Sequence, residues 1–269
     1  MVCSELKDLN YSAIIARKLA SVHHLNVPIK KDPTWLFDTI NGWIKDVGEL
    51  KPKIDCPNEQ KLFSFDFESE FACLKKMLDM CESPITFCHN DLQEGNILLP
   101  AVDNPTSLLN SNQMSVEQFE DHIVLIDFEY CAYNFRGFDL GNHFCERMFD
   151  YSNPDWPHFY TDLDAYPDDQ AKRYFVTEYL KQAKEFKFDQ NVDTVDHIIK
   201  EADFYALASH FIWTLWSMVF SKKSSISFGY MVCLDCFIKF VHFSKFFFCL
   251  RFRNTECQDL SHTISTKNI

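Results

Sequence analysis

The sequence predicts an α+β fold that is mostly helical, with one small β-hairpin element in its middle. Three observations carry this prediction. Apolar residues recur at helical spacing in the first third of the chain and again in its last third. Between them, from Ile85, the texture switches to short apolar runs. One of these, Ile123-Val124-Leu125-Ile126, is β-rich and stops at an acid, Asp127. At 269 residues and 46% hydrophobic content, the chain suffices for one large domain or two small ones.

Asn10 to Leu25 reads as an amphipathic helix, with Ile14, Ile15, Leu19 and Val22 on one face. Pro33-Thr34 opens a second helix carrying Trp35, Leu36, Ile40 and Trp43, with Thr34 as its expected cap. After a polar break over Lys51–Gln60, Phe67, Phe71, Leu74 and Leu78 line a third helix. Ile85–Cys88 and Asn96–Leu99 are short strands flanking a tight loop. The Asn/Ser-rich stretch from Pro100 to Asp121 is a hairpin-tip loop. From Phe138 onward the pattern is helical again, and Val192–Phe220 forms one long helix or two. Trp213 and Trp216, three apart, share a face there. The acidic cluster Asp162, Asp164, Asp168 and Asp169 reads as a solvated loop and helix start.

Composition excludes several functions. A net charge of −13 argues against a nucleic-acid binder, which needs a basic surface. The first ten residues carry no signal-peptide pattern, and eleven scattered cysteines fit a reducing cytoplasm better than a disulfide framework. The lone Cys233-x-x-Cys236 pair has no second pair at zinc-site spacing, only Cys249, Cys257 and His242 nearby. The Phe-rich stretch Met231–Phe252 is interrupted by Asp235, Lys239, His242 and Lys245, so no membrane span is expected.

The chemistry lies in the middle. His89-Asn90-Asp91, then four residues, then Asn96 gives the H-x-D-x-x-x-x-N layout of kinase catalytic loops. Phosphoryl transfer needs a carboxylate near the attacking hydroxyl and oxygen ligands for Mg²⁺ close by, and this spacing delivers both. Asp127, at a strand end and followed by Phe128-Glu129, suits a second Mg²⁺ ligand. Either signal alone is weak; together, in this order, they predict an ATP-dependent phosphotransferase. His89 is expected to be structural, and Tyr174 and Tyr179 to be packing residues.

The run Phe87-Cys88-His89-Asn90-Asp91-Leu92-Gln93-Glu94-Gly95-Asn96-Ile97-Leu98-Leu99 resembles the catalytic loop of choline/ethanolamine kinases. So does the later stretch from Ile126-Asp127-Phe128-Glu129-Tyr130 through Tyr133–Asp139 to Gly141-Asn142-His143-Phe144-Cys145-Glu146. The likeness runs from about Leu9 to Met231 and leans toward choline kinases. It implies the C-terminal lobe of a protein-kinase-like fold over residues 1–231, followed by a divergent tail at 232–269. It also implies transfer of phosphate from Mg-ATP to choline, on the route to phosphatidylcholine, by a homodimeric cytoplasmic enzyme. Asp91 would then take or orient the choline hydroxyl proton, with Gln93 in support. Asn96, Asp127 and Glu129 would serve Mg²⁺. Tyr130, Tyr151, Trp213 and Trp216 would cage the quaternary ammonium, with Glu146 as the anion. Without the upstream motifs, the two tryptophans would read simply as core.

Two departures from the resemblance stand out. The family's smaller β-rich, ATP-covering lobe has no counterpart before Leu9, and the first basic pair after it, Arg17 and Lys18, lies on a helix rather than a strand. The match also ends after Phe228-Gly229-Tyr230-Met231, where Val232 and Cys233 replace an acid and a tyrosine. The expectation is a truncated or alternatively spliced product of low activity. Ethanolamine phosphorylation, a fragment that modulates full-length subunits and a membrane-tethered variant are the alternatives.

Overall fold

The structure is a computed structural model. It describes residues 1–51, 60, 63–99, 123–186, 189 and 191–231. The expected hairpin-tip loop, the Cys233/Cys236 pair and the Phe-rich tail lie outside them, in whole or in greater part. Seven α-helices and six short strands follow in chain order among the described residues: α1 (Cys3–Leu6), α2 (Leu9–His23), α3 (Thr34–Glu49), α4 (Phe67–Leu78), β1 (Ile85–Cys88), β2 (Ile97–Leu98), β3 (Val124–Leu125), β4 (Ala132–Phe135), α5 (Arg136–Glu146), β5 (Phe149–Asp150), β6 (Tyr160–Thr161), α6 (Asp169–Ala183) and α7 (Val195–Lys223).

Helix starts follow local chemistry. Carboxylates or a hydroxyl satisfy otherwise unpaired N–H groups: Asp8 accepts from Asn10, Asp66 from Ser69, Asp168 from Ala171 and Thr194 from His197. Asp168 thus begins a helix, as expected of the acidic cluster. Thr34 does not act as a cap. It is the first residue of α3, and Asp32 accepts from its backbone N–H at 3.1 Å. A carboxylate two residues upstream of the helix outcompetes the hydroxyl inside it.

The strands pair antiparallel as β1–β4, β2–β3 and β5–β6. The runs flanking the tight loop therefore do not pair with each other. Ile85–Cys88 lies against Ala132–Phe135, and Ile97–Leu98 against Val124–Leu125. Helical structure resumes at Arg136 rather than Phe138, and the segment after Val192 is a single helix.

The core has two parts that meet on α5. One joins α3, α4 and the second half of α7; the other joins α2, α6 and the β2–β3 ladder. Phe138 belongs to the first and Leu140 and Phe144 to the second. Every residue of α5 is buried, including Arg136, Asp139, Asn142, His143 and Glu146. Arg136 is paired with Asp193 and Glu201, and Ser83 donates to Glu201 at 2.9 Å, so the buried cation is neutralised.

Gly137 and Gly141 let α5 lie directly on α7. A Cβ at Gly141 would sit 2.5 Å from the Ala202 carbonyl oxygen and 2.7 Å from the Ala206 nitrogen. Backbone cannot swing aside, so Gly141→Ala is expected to destabilise by about 1–3 kcal/mol through forced separation of the helices. Gly42 on α3 meets nothing within 4 Å. Gly42→Ala is expected to stabilise by about 0.5–1 kcal/mol. Urea midpoints that shift in opposite directions would verify the pair; a neutral Gly141→Ala would contradict the close approach.

Candidate active site

The β2–β3 ladder brings the H-x-D-x-x-x-x-N loop and Asp127, the two halves of the expected phosphotransfer motif, together. Ile126 donates its N–H to the Asn96 carbonyl at 3.0 Å, so the residue after it, Asp127, lies beside the loop. His89 adds a second tie. Its Nδ1 accepts the Asp91 N–H at 3.3 Å, which leaves Nε2–H to donate to the Ile126 carbonyl at 2.9 Å. Its ring lies 4.8 Å from that of Phe128, so His89 is part of the scaffold. The chain passes through left-handed backbone at Asn90 (φ 68°) and Asp127 (φ 63°), a region Asn and Asp tolerate better than most residues.

Asp139 on α5 holds this loop. Its fully buried carboxylate accepts the N–H groups of His89 at 2.7 Å and Asn90 at 2.8 Å. It also accepts from His23 Nε2 at 3.1 Å, while His23 Nδ1 takes the Tyr179 hydroxyl at 2.9 Å. Asn134 donates to Asn90 Oδ1 and Asn90 to the Tyr130 carbonyl. Burial would raise the Asp139 carboxyl, but the hydrogen bonds and charge from His23 and His89 outweigh it and hold it low. His143, also on α5, donates from Nδ1 to the Leu92 carbonyl at 3.0 Å. Burial lowers its pKa to about 4.

His23, Cys88 and Asp139 form a tight group of metal-type side chains among the described residues. Each is already engaged: His23 and Asp139 as above, and Cys88 with Thr86 and backbone carbonyls. They make a hydrogen-bond network with no free donor face for an ion.

Asp91 accepts from the Asn96 side-chain amide at 3.1 Å. Burial first, then the charges of Asp127, Glu129 and Asp139, push its carboxyl up to about 7, although the Asn96 bond opposes this. Asp127 and Glu129 are exposed, and their carboxylates make no hydrogen bond or ion pair among the described residues. Asn96 spends its amide N–H on Asp91, leaving Oδ1 open. A carboxylate pair and an amide oxygen are hard donors of the kind Mg²⁺ takes. Gln93 instead uses its side-chain oxygen to accept the Gly95 N–H at 2.7 Å, which shapes the turn.

Beside this cluster stands an aromatic wall. Tyr130 meets Trp213 edge-on at 5.5 Å, and Trp213 meets Trp216 at 5.7 Å. The Trp216 indole donates to the Tyr130 hydroxyl at 3.1 Å. The Trp213 indole donates to Asn142 on α5 at 2.7 Å and is only 7% exposed, so this ring is built into the wall. Tyr151 lies farther round, its hydroxyl donating to Glu146 at 3.0 Å. Burial and then the Asp91 charge push Glu146 up to about 8, against the Tyr151 bond. The five candidate substrate residues thus share one region.

Sequence reasoning missed Phe228 and Tyr230, which close the wall. Tyr230 lies 5.4 Å from Trp216, and Phe228 lies 5.0 Å from Tyr230 and 6.4 Å from Tyr151. Gly229 between them donates to the Pro157 carbonyl at 3.0 Å, and a Cβ there would fall 2.2 Å from Pro157 Cβ. The Phe-Gly-Tyr spacing was the available signal. Asp139 and Asn142 were also missed, because a polar stripe on a helix normally faces water, and so was Glu94, because an acid in a short loop turn normally does too.

A family model described as choline/ethanolamine kinase matches residues 1–236. Human choline/ethanolamine kinase is 37% identical over 230 residues, covering 84% of this chain and 54% of its own length. Mouse choline kinase alpha is 39% identical over 233 residues, 84% of this chain and 49% of its own. A probable ethanolamine kinase of Arabidopsis thaliana is 31% identical over 232 residues, 85% of this chain and 54% of its own. The chain therefore spans about half the length of the curated relatives it matches. Among solved structures, choline kinase from Cryptosporidium parvum Iowa II superposes with TM-score 0.71 at 23% identity, over 92% of this chain and 68% of that one. Plasmodium vivax ethanolamine kinase gives TM-score 0.65 at 21% identity, over 90% of this chain and 62% of that one. At these identities the structures establish the fold. No helix of the described residues is long and apolar enough to cross a membrane.

Proposed function

The chain belongs to the choline/ethanolamine kinase family and has its protein-kinase-like fold, and on that premise we propose that its site phosphorylates choline with Mg-ATP. The observation that carries the choice of choline is the wall of Tyr130, Trp213, Trp216 and Tyr230 beside a buried acid, Glu146. A quaternary ammonium donates no N–H hydrogen bond. Aromatic faces attract it by about 0.5–2 kcal/mol each, and a carboxylate supplies the counter-charge. Ethanolamine, with three N–H donors, gains less from such a wall.

With the cation against that wall, the hydroxyl end faces Asp91. A carboxyl that titrates near neutrality is suited to take the hydroxyl proton as the oxygen attacks the γ-phosphorus. Asn96 fixes the Asp91 carboxylate through its amide. Asp127, Asn96 Oδ1 and Glu129 are the residues that would hold Mg²⁺, whose role is to neutralise charge on the phosphates. Gln93 keeps the turn in shape. Residues 1–231 form the catalytic lobe in this scheme, with a homodimer in the cytoplasm as its setting.

Choline binding, followed by indole fluorescence, tests the cation site. The chain is expected to prefer choline to ethanolamine, and Trp216→Ala to weaken choline roughly tenfold. Affinity should also depend on pH. The bound cation favours ionised Glu146, so binding releases a proton below pH 8 and choline affinity rises toward a plateau there. A profile that is flat from pH 6 to 8, or equal affinity for the two amines, would count against the assignment.

A further inference from the structure

Glu94 takes no part in the chemistry above, yet it is only 5% exposed and sits inside the catalytic loop, between Gln93 and Asn96. Its Oε1 accepts the backbone N–H of Tyr151 at 2.9 Å. Tyr151 in turn donates its hydroxyl to Glu146 at 3.0 Å and stacks on Phe149 at 6.2 Å. One side chain therefore connects the loop that carries Asp91 to the residue that orients the buried anion. The other carboxylate oxygen, Oε2, is buried with no hydrogen-bond partner among the described residues. A half-satisfied buried carboxylate is costly to keep. Its one bond spans 57 residues of sequence and joins the two halves of the site.

We infer that Glu94 is a positioning residue that sets the distance between the cation site and Asp91 by holding Tyr151, and through it Glu146. The inference rests on reading Tyr151 and Glu146 as part of a choline site. The bond needs an acceptor at Oε1 and not a charge, so Gln serves in its place and Ala does not.

The experiment uses the whole chain as wild type, Glu94→Ala and Glu94→Gln, with choline as probe and two readouts. Hydrogen exchange at the Tyr151 amide reports the bond itself. Choline titration reports the site. Glu94→Ala is expected to lose protection at Tyr151 and to weaken choline by up to about tenfold, the upper range for one ordinary hydrogen bond. Glu94→Gln is expected to retain both within about twofold of wild type on the same grounds. Loss of Tyr151 protection in Glu94→Ala with choline affinity unchanged overturns the inference. So does a Glu94→Gln variant as weak as Glu94→Ala, which would make the charge the active feature. A wild-type chain whose Tyr151 amide is protected but which binds no choline overturns the choline assignment, a result distinct from either.

Discussion

Asp91→Asn is expected to lower phosphocholine formation from Mg-ATP and choline by about 10²–10⁴-fold, the usual range for removing a general base. The substitution is nearly isosteric. An Asn at this position still offers an oxygen to the Asn96 amide, which donates to Asp91 at 3.1 Å in the wild type. Choline affinity and the thermal midpoint should therefore change little. Burial and three nearby carboxylates already disfavour the ionised form of Asp91, so removing its charge relieves repulsion. A variant that keeps its rate would assign the proton transfer elsewhere. A variant that unfolds would make Asp91 structural.

Asp139→Asn is expected to be the most destabilising single change near the site, at about 3–5 kcal/mol, as when one partner of a buried charged set is removed. Both Asp139 oxygens are committed, one to the His89 N–H and to His23, the other to the Asn90 N–H. An amide can present only one oxygen, so its NH₂ must face a backbone donor. The catalytic loop should then lose its geometry as well as its stability. The pH dependence has a definite sign. The folded carboxyl titrates below its ordinary value of 3.8, so its contribution is complete above that pH and fades as pH falls through the folded value. Urea midpoints should separate wild type from Asp139→Asn near neutrality and converge in strong acid. Equal midpoints at pH 7 would mean that the loop does not depend on α5.

Much of the architecture was legible in the sequence because it is encoded locally. The stripes Ile14–Val22 and Phe67–Leu78 repeat every three or four residues, and those residues are buried as the periodicity implies. The spacing from Asp91 to Asn96 and the strand end at Asp127 were readable because a loop and a hairpin bring them together over short distances. What was not legible is carried by pairings far apart in sequence. Nothing in Ile85–Cys88 announces that its partner is Ala132–Phe135. The polar residues of α5 were harder still. By pattern alone Asp139, Asn142 and His143 look like a solvent-facing stripe; only Glu146 was singled out, through the family resemblance, and all four are buried with partners in different parts of the site. Phe228 and Tyr230 reach the aromatic wall through a close approach of Gly229 to Pro157, a contact that no local pattern records.

The central claim is that the aromatic wall and the Asp91–Asn96–Asp127 cluster form one site, with the choline hydroxyl turned toward the acids. Paramagnetic relaxation of choline protons by Mn²⁺, substituted for Mg²⁺ and supplied with ADP, measures this directly. The prediction is that the protons beside the hydroxyl broaden more than the N-methyl protons, and that the effect disappears in Asp127→Asn while choline still binds. Equal broadening of both ends, or broadening unchanged in Asp127→Asn, would contradict it.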